Sequence, residues 1–351
     1  MISQLQEVQA AGGASFVESN ETAIPVSFGN DTEAIQAARS GVAICDRSHW
    51  GKILVSDSDR LRFLHNQSTN DFQILQPGQG CDTVFVTSTA RTIDLATAYV
   101  MEDAVLLLVS PSRRDYIIDW LDRYIFFADQ VKLQDVTSES AVFSLIGANS
   151  DALLEQLGVN TIIGQPLATH QLIKIADVEV RVAVGSGLAS SGYTLIIPQE
   201  KAATIWSKLV ETGAVPLGDR AWDVLRIEQG RPAPDHELTE DYNPLEAGLW
   251  QTLSFTKGCY IGQETIARLN TYKGVKQYLW GIRLDAPAQP GSLITIKEEK
   301  VGKLTSAIET ENGFFGLCYI RSKAGGAGLK VTVGETTGEV VDVPFLTRQE
   351  T

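Results

Sequence analysis

Residues 82–109 read DTVFVTSTARTIDLATAYVMEDAVLLLV. Three strand-like runs follow one another here, at Asp82–Ser88, Ile93–Val100 and Val105–Val109. Met101-Glu102-Asp103-Ala104 forms a hairpin turn between the last two. No helical stretch separates these runs, so the strict β-α alternation of a doubly wound parallel sheet does not fit, and an α+β fold is expected. Upstream, a strand at Lys52–Val55 runs into Ser56–Asp59, side chains suited to a helix N-cap, and a helix carrying Leu61, Phe63 and Leu64. Pro77-Gly78 marks a turn. Downstream, Ser112–Asp115 resembles a capping box, and Tyr116, Ile117, Trp120, Leu121 and Tyr124 fall at helical spacing before a strand at Val131–Leu133.

The order β-α-β-β-β-α-β then repeats. A strand at Val142–Ile146, a helix at Ser150–Leu157, strands at Leu172–Ile175, Val178–Val184 and Tyr193–Ile197, a helix at Lys201–Glu211 and a strand at Ala214–Pro216 make the second round. A helix at Ala221–Gln229 follows, closed by Gly230, then a polar loop from Pro232 to Pro244. From Tyr278 onward six short strands with no helix predict a small closed barrel. The expected organisation is a pseudo-duplicated, mostly antiparallel body over residues 1–272, with halves at about 48–136 and 141–250, and an antiparallel β-barrel over 277–347.

Of the 351 residues, 29 are Lys or Arg and 43 Asp or Glu, a net charge of -14 that disfavours broad nucleic-acid or anionic-membrane binding. No run approaches the roughly 18 apolar residues of a membrane helix. The opening Met1-Ile-Ser-Gln-Leu-Gln-Glu7 has neither secretory nor transit-peptide character, so a cytoplasmic protein is expected. Four scattered cysteines without a C-x-x-C pair, and four histidines without H-E-x-x-H, speak against a disulfide scaffold or a metal site.

Lys257-Gly-Cys-Tyr-Ile-Gly-Gln-Glu264 is the stretch richest in chemistry. Gly258 and Gly262 permit a tight turn around Cys259, and Gln263–Leu269 reads as the first turns of a helix. A thiol before a helix N-terminus, with Lys257 two residues away, is placed for a lowered pKa and nucleophilic character. From the residues alone, Cys259 is equally a small buried residue in a glycine-rich turn. Cys45 and Cys318 read as core, and Cys81 is undecided.

This octapeptide resembles the signature of the YgfZ family, folate-binding proteins similar to the glycine-cleavage T-protein. Ser48-His-Trp-Gly-Lys-Ile53, Thr69-Asn-Asp71, Pro77-Gly78-Gln79, Leu225-Arg-Ile-Glu-Gln-Gly230 and Asn243-Pro-Leu-Glu-Ala-Gly248 extend the resemblance from about Gly41 to Val343. It implies a folate-binding body of two similar halves plus a barrel. T-proteins transfer an aminomethyl carbon to tetrahydrofolate with an aspartate in an Ile-Asp-Asp-Leu-like strand and hold folate with a glutamate in a Gly-x-Glu-Ile strand. In the matching stretches Ile93-Asp-Leu-Ala96 and Gly192-Tyr-Thr-Leu195 those positions fall on Leu95 and Thr194, so the resemblance points to the YgfZ branch, a folate-dependent helper of iron–sulfur cluster maintenance acting on enzymes such as those that thiomethylate tRNA.

The resemblance implies tetrahydrofolate or a one-carbon derivative as cofactor, iron–sulfur proteins or assembly factors as clients, and contact with neither RNA nor membrane. Cys259 and Lys257 become the candidate catalytic pair, supported by Gly258, Tyr260, Gly262, Gln263 and Glu264. Trp50 and Trp222 match the family's folate tryptophans, an indole face being suited to the pterin; Trp222 also reads as core beside Leu225. Glu228 is a candidate acceptor for the pterin amino group. Arg226 is a candidate partner for Glu228 or for the glutamate tail of folate, and Lys52 and Arg91 for the folate carboxylates. His49 reads as a structural hydrogen-bonding residue. A true aminomethyltransferase and a folate-binding scaffold without chemistry are the competing functions.

Overall fold

The computed structural model describes residues 3–18 and 23–348. It packs as two compact units, the first from residues 1–60, 75–81 and 97–225, the second from residues 61–74, 82–96 and 226–351. In chain order the elements before the first repeat are α1 (Gln4–Ala11), β1 (Ser15–Glu18), β2 (Ala23–Ser27), α2 (Asp31–Ser40) and β3 (Ala43–Asp46). The first round comprises β4 (Gly51–Ser56), α3 (Arg60–Gln67), β5 (Gly80–Val86), β6 (Thr92–Val100), β7 (Ala104–Val109), α4 (Arg114–Asp122) and β8 (Lys132–Asp135). The second is β9 (Ser140–Ile146), α5 (Ser150–Gln156), β10 (His170–Ile175), β11 (Val178–Val184), β12 (Gly192–Pro198), α6 (Ala202–Glu211) and β13 (Val215–Leu217).

Both rounds weave their strands in the same spatial order. The first gives β5-β6-β7-β4-β8; the second gives β10-β11-β12-β9-β3-β13, the same pattern with β3 inserted before the last strand. The hairpin expected at residues 101–104 is present, with Val100 opposite Val105 and Thr97 opposite Leu108. Pairing is antiparallel along β9–β12 and parallel where β13 meets β3, Val215 lying opposite Ala43.

The second sheet is buried on both faces, because successive side chains of a strand point to opposite sides. Ile44, Leu145, Val182 and Leu195 join a core with Trp206 and Leu209 of α6. Their neighbours Cys45, Ile146, Ala183 and Ile196 join another with Ala34 and Ala38 of α2. The capping box expected at Ser112–Asp115 is absent: Pro111–Arg113 makes a single 3-10 turn, and no side chain caps α4.

Then follow α7 (Asp219–Gln229), α8 (Gln263–Thr271) and the strands β14 (Gln277–Leu284), β15 (Leu293–Ile296), β16 (Glu299–Thr310), β17 (Gly313–Arg321), β18 (Lys330–Val333) and β19 (Thr336–Val341). These six strands close into a barrel in the order β14-β17-β16-β15-β18-β19. The seam is made by β19 against β14, Val341 opposite Gly281. Ile282, Ile294, Leu304, Cys318, Ile320, Val333 and Val340 fill its interior. The architecture is the expected mixed α+β body with antiparallel sheets and a closed C-terminal barrel. Among the described residues, no helix is long and apolar enough to cross a membrane.

Candidate functional site

In the second unit, the segment 257–262 forms a clamped turn before α8. Gly262 supplies the left-handed conformation that enters the helix, at φ 83°, and a side chain there would stand 3.0 Å from the Thr87 carbonyl oxygen. Ile261 donates its backbone N–H to the Asn66 carbonyl at 3.0 Å. Gln263 Nε2 reaches the Gly258 carbonyl at 3.3 Å. Tyr260 is buried, its hydroxyl pushed up to about 12 by that burial. Cys259 itself is exposed, whereas Cys45 and Cys318 are buried and burial pushes both of their thiols up. Cys81 is half-buried.

Lys257 departs from the role expected for it. Its side chain is buried, and the ammonium donates to the carbonyls of His65 (2.5 Å), Ser68 (2.7 Å) and Asn70 (2.6 Å). The charge also sits 4.6 Å from the Tyr260 ring centroid. The ammonium thus donates to backbone oxygens in the last turn of α3 and just past it, where a cation is favoured. Lys257 is thereby an anchor of the turn.

Arg226 is likewise committed. It pairs with Glu237 at 3.1 Å, both side chains buried, and Glu237 also accepts from Ser306 Oγ at 2.6 Å and from the Ala233 N–H at 3.1 Å. This network, joined by Tyr319 donating to the Glu237 carbonyl, ties Arg226 and the loop that follows α7 to the barrel within the second unit. Arg226 thus has Glu237 as a partner, a residue the sequence did not single out. Glu228, two residues further along α7, is half-buried. Arg91 donates to the Asp241 carbonyl at 2.9 Å and lies 4.0 Å from Glu246. Leu95 packs with Val84, Val86, Leu238 and Leu249, and alternation along β6 sends its fully buried neighbour Asp94 to the opposite face.

In the first unit, Trp50 and Trp222 come together edge to face with centroids 5.5 Å apart. The pair is buried rather than exposed, at 5% and 7%. Arg47, missed at the sequence level, lays its guanidinium 4.3 Å from the Trp50 centroid and 5.8 Å from that of Trp222. Gly187 makes room for it: a Cβ there would meet Arg47 Nη1 within van der Waals radii. The only forewarning was that Arg47 directly precedes the Ser48–Ile53 run. Lys52 is fully buried and donates to the carbonyls of Ser48 (2.9 Å) and Ser140 (2.7 Å), its pKa pushed down to about 8 mainly by burial. That places it as a backbone tie and not at a ligand carboxylate. His49, half-buried, lies 3.7 Å from Asp219, and desolvation lowers its pKa to about 3. Thr194 spends its hydroxyl on the Gly185 carbonyl at 2.8 Å.

A body of two like-woven halves with a closing barrel, and a cysteine turn held beside α3, define a class of protein. The family described as GCVT N-terminal domain matches residues 5–257, and the chain belongs to that family. A protein of Arabidopsis thaliana named "Putative transferase At1g60990, chloroplastic" is 48% identical over 348 residues, covering 98% of this chain and 80% of the relative. The aminomethyltransferase of Geobacillus kaustophilus is 28% identical over 98% of each chain. The crystal structure of glycine cleavage system aminomethyltransferase T from Bartonella henselae has the same fold, with a TM-score of 0.86 over 99% of this chain and 98% of that one at 18% identity.

Proposed function

We propose that this protein binds tetrahydrofolate or a one-carbon derivative and uses the Cys259 thiol to support iron–sulfur cluster assembly or repair, as in the YgfZ branch of its superfamily. The observation that carries the reading is the exposed thiol of Cys259 on a turn clamped to α3. A fixed, accessible thiol in a reducing cytoplasm is suited to transient bonding of sulfur or a one-carbon unit, or to a transient cluster contact. Effects on tRNA modification would be indirect, through iron–sulfur client enzymes, with no contact between this acidic chain and RNA.

The donor set of the first unit fits a flat heterocycle with an anionic tail. Two indoles and one guanidinium meet in a single cluster, so Trp50, Trp222 and Arg47 would hold the ligand by stacking and charge. When bound, tetrahydrofolate supplies nitrogen atoms that carry one-carbon units. Leu95 and Thr194, where T-proteins carry acids, hold no carboxylate and are engaged in packing and a backbone hydrogen bond. This favours the cysteine-based reading over aminomethyl transfer. Full-length similarity to aminomethyltransferases and the buried carboxylate of Asp94 keep that second reading testable.

Calorimetry with tetrahydrofolate on the wild type and on Trp50→Phe, which retains most of the packing volume, tests the ligand. Binding is expected in the former and weaker binding in the latter; no binding to the wild type overturns the reading. Cys259→Ala should bind folate normally yet fail to restore iron–sulfur enzyme activity in a deletion strain. Turnover of an aminomethyl-lipoyl carrier protein by the wild type would move the assignment to the second reading.

A further inference from the structure

Cys259 sits between two ties to one turn of α3. Lys257 binds the His65 carbonyl on one side, and Ile261 binds the Asn66 carbonyl on the other. The backbone carrying the thiol is thereby pinned beside His65, whose side chain is only 6% exposed. A Cβ added to Gly258 would lie 3.6 Å from His65 Nε2, so this ring nitrogen faces the residue immediately before the cysteine. The other nitrogen, Nδ1, lies 3.0 Å from Asp71 Oδ1, an oxygen that also accepts the Gln73 N–H at 3.0 Å. A carboxylate has no proton to give, so Nδ1 carries the hydrogen and Nε2 presents its lone pair toward the turn. Nε2 makes no hydrogen bond among the described residues.

We propose that His65, oriented by Asp71, is the base that takes the proton of Cys259 as its thiol reacts. The inference rests on the reading of Cys259 as the reacting group. In the step the S–H bond breaks and its electron pair stays on sulfur. The proton forms an N–H bond at Nε2, and the resulting imidazolium is held by the Nδ1–H···Asp71 hydrogen bond. In thiol enzymes a base oriented by an acid serves the nucleophile in this way; here His65 lies at the end of α3 and Asp71 just past it, with His65 Nε2 facing the glycine-flanked turn that carries Cys259. Burial, with the nearby Lys257 charge, lowers the His65 pKa against the opposing pull of Asp71, leaving a neutral ring ready to accept at pH 7.

The test is the pH dependence of iodoacetamide alkylation at Cys259 in the full chain, followed by intact mass in a Cys81→Ser background. The buried Cys45 and Cys318 stay silent. The wild-type rate should level off as His65 loses its proton, below the range of an unassisted thiol, about 8.5. His65→Gln and Asp71→Asn should raise the inflection and lower the pH 7 rate about tenfold, since a free thiol is only a few per cent thiolate there. Superimposable profiles for wild type and a folded His65→Gln, checked by circular dichroism, overturn the proposal. If His65→Gln does not fold, Asp71→Asn decides by the same criterion. Failure of this inference is separable from failure of the functional reading. Unchanged profiles with a Cys259→Ala variant inactive in cells remove only the base, whereas a fully active Cys259→Ala removes the functional role of the thiol whatever the profiles show.

Discussion

Replacing Lys257 by Met separates an anchoring role from an activating one. The substitution keeps the apolar stem and removes the ammonium, leaving the carbonyls of His65, Ser68 and Asn70 without their shared donor. Each buried acceptor so stranded costs about 1–3 kcal/mol. The wild-type protein has already borne the cost of burying the charge, which offsets part of the sum, so a net loss of about 3–5 kcal/mol is expected, as for other broken buried charge contacts. At about 2–4 °C per kcal/mol, the second unit should melt roughly 10 °C earlier. Differential scanning calorimetry of the full chain reads this directly. Lys257→Arg should not rescue it, because a planar guanidinium cannot aim three protons at one convergent point as an ammonium does. A melting temperature within about 1 °C of wild type, together with slower alkylation of Cys259, would refute the anchoring assignment and return Lys257 to the thiol.

Three further outcomes are expected. Gly187→Ala adds a methyl into the Arg47 guanidinium at a residue with φ 84°; it should cost about 1–3 kcal/mol and weaken tetrahydrofolate binding by calorimetry. Arg226→Met strands the buried Glu237 carboxylate and should lower stability by about 3–5 kcal/mol in urea titrations, while folate affinity of the folded protein is unchanged. His170 is held neutral, since Arg181 donates to Nδ1 and Nε2–H donates to the Val100 carbonyl; burial, then Arg181, lower its pKa to about 4. The unfolded chain binds this proton from about pH 6.5, so stability present above that pH should be lost as acid approaches 4, at about 1.4 kcal/mol per pH unit, and His170→Gln should flatten that limb in urea melts.

The elements legible in the sequence are those with strong apolar periodicity. The strands of residues 82–109, the second round of the repeat and the six barrel strands all carry alternating or continuous apolar runs, and they are found within a few residues of their expected ends. By contrast α1 and α2 bury faces made of Leu5 and Gln9, and of Ala34 and Ala38. Such faces give little periodic signal, because small or polar side chains reach the core only through tertiary packing. The insertion of β3 beside β9 was invisible for a related reason: four residues suffice for the pairing, and the partner strand lies about 100 residues away in sequence. The likeness to the glycine-cleavage T-protein was legible because its motifs lie along almost the whole chain. The indole pair was legible for the same reason, but its burial was not, since exposure depends on what the rest of the unit packs over it.

The basic residues show where motif reasoning stops. Lys52, Arg226 and Arg91 were chosen because a cation near a motif suits an anionic ligand, and Lys257 because a nearby charge could lower a thiol pKa; all four spend hydrogen bonds on oxygen atoms of their own chain. The physical reason lies in the folds around them. A loop entering or leaving a helix or strand leaves carbonyls without partners, and a long cationic side chain from a neighbouring motif satisfies several at once. Lys52 does this for Ser48 and Ser140, and Lys257 for the end of α3. A motif lysine in this fold therefore holds the backbone that presents the chemistry, and the groups left to meet a ligand or a reacting proton are less conspicuous in sequence. Arg47 lies over the paired indoles, and His65 turns its second nitrogen toward the cysteine turn. Neither belongs to the octapeptide, but each is fixed by residues that do or by the runs that accompany it, which is why geometry and not spacing exposes both.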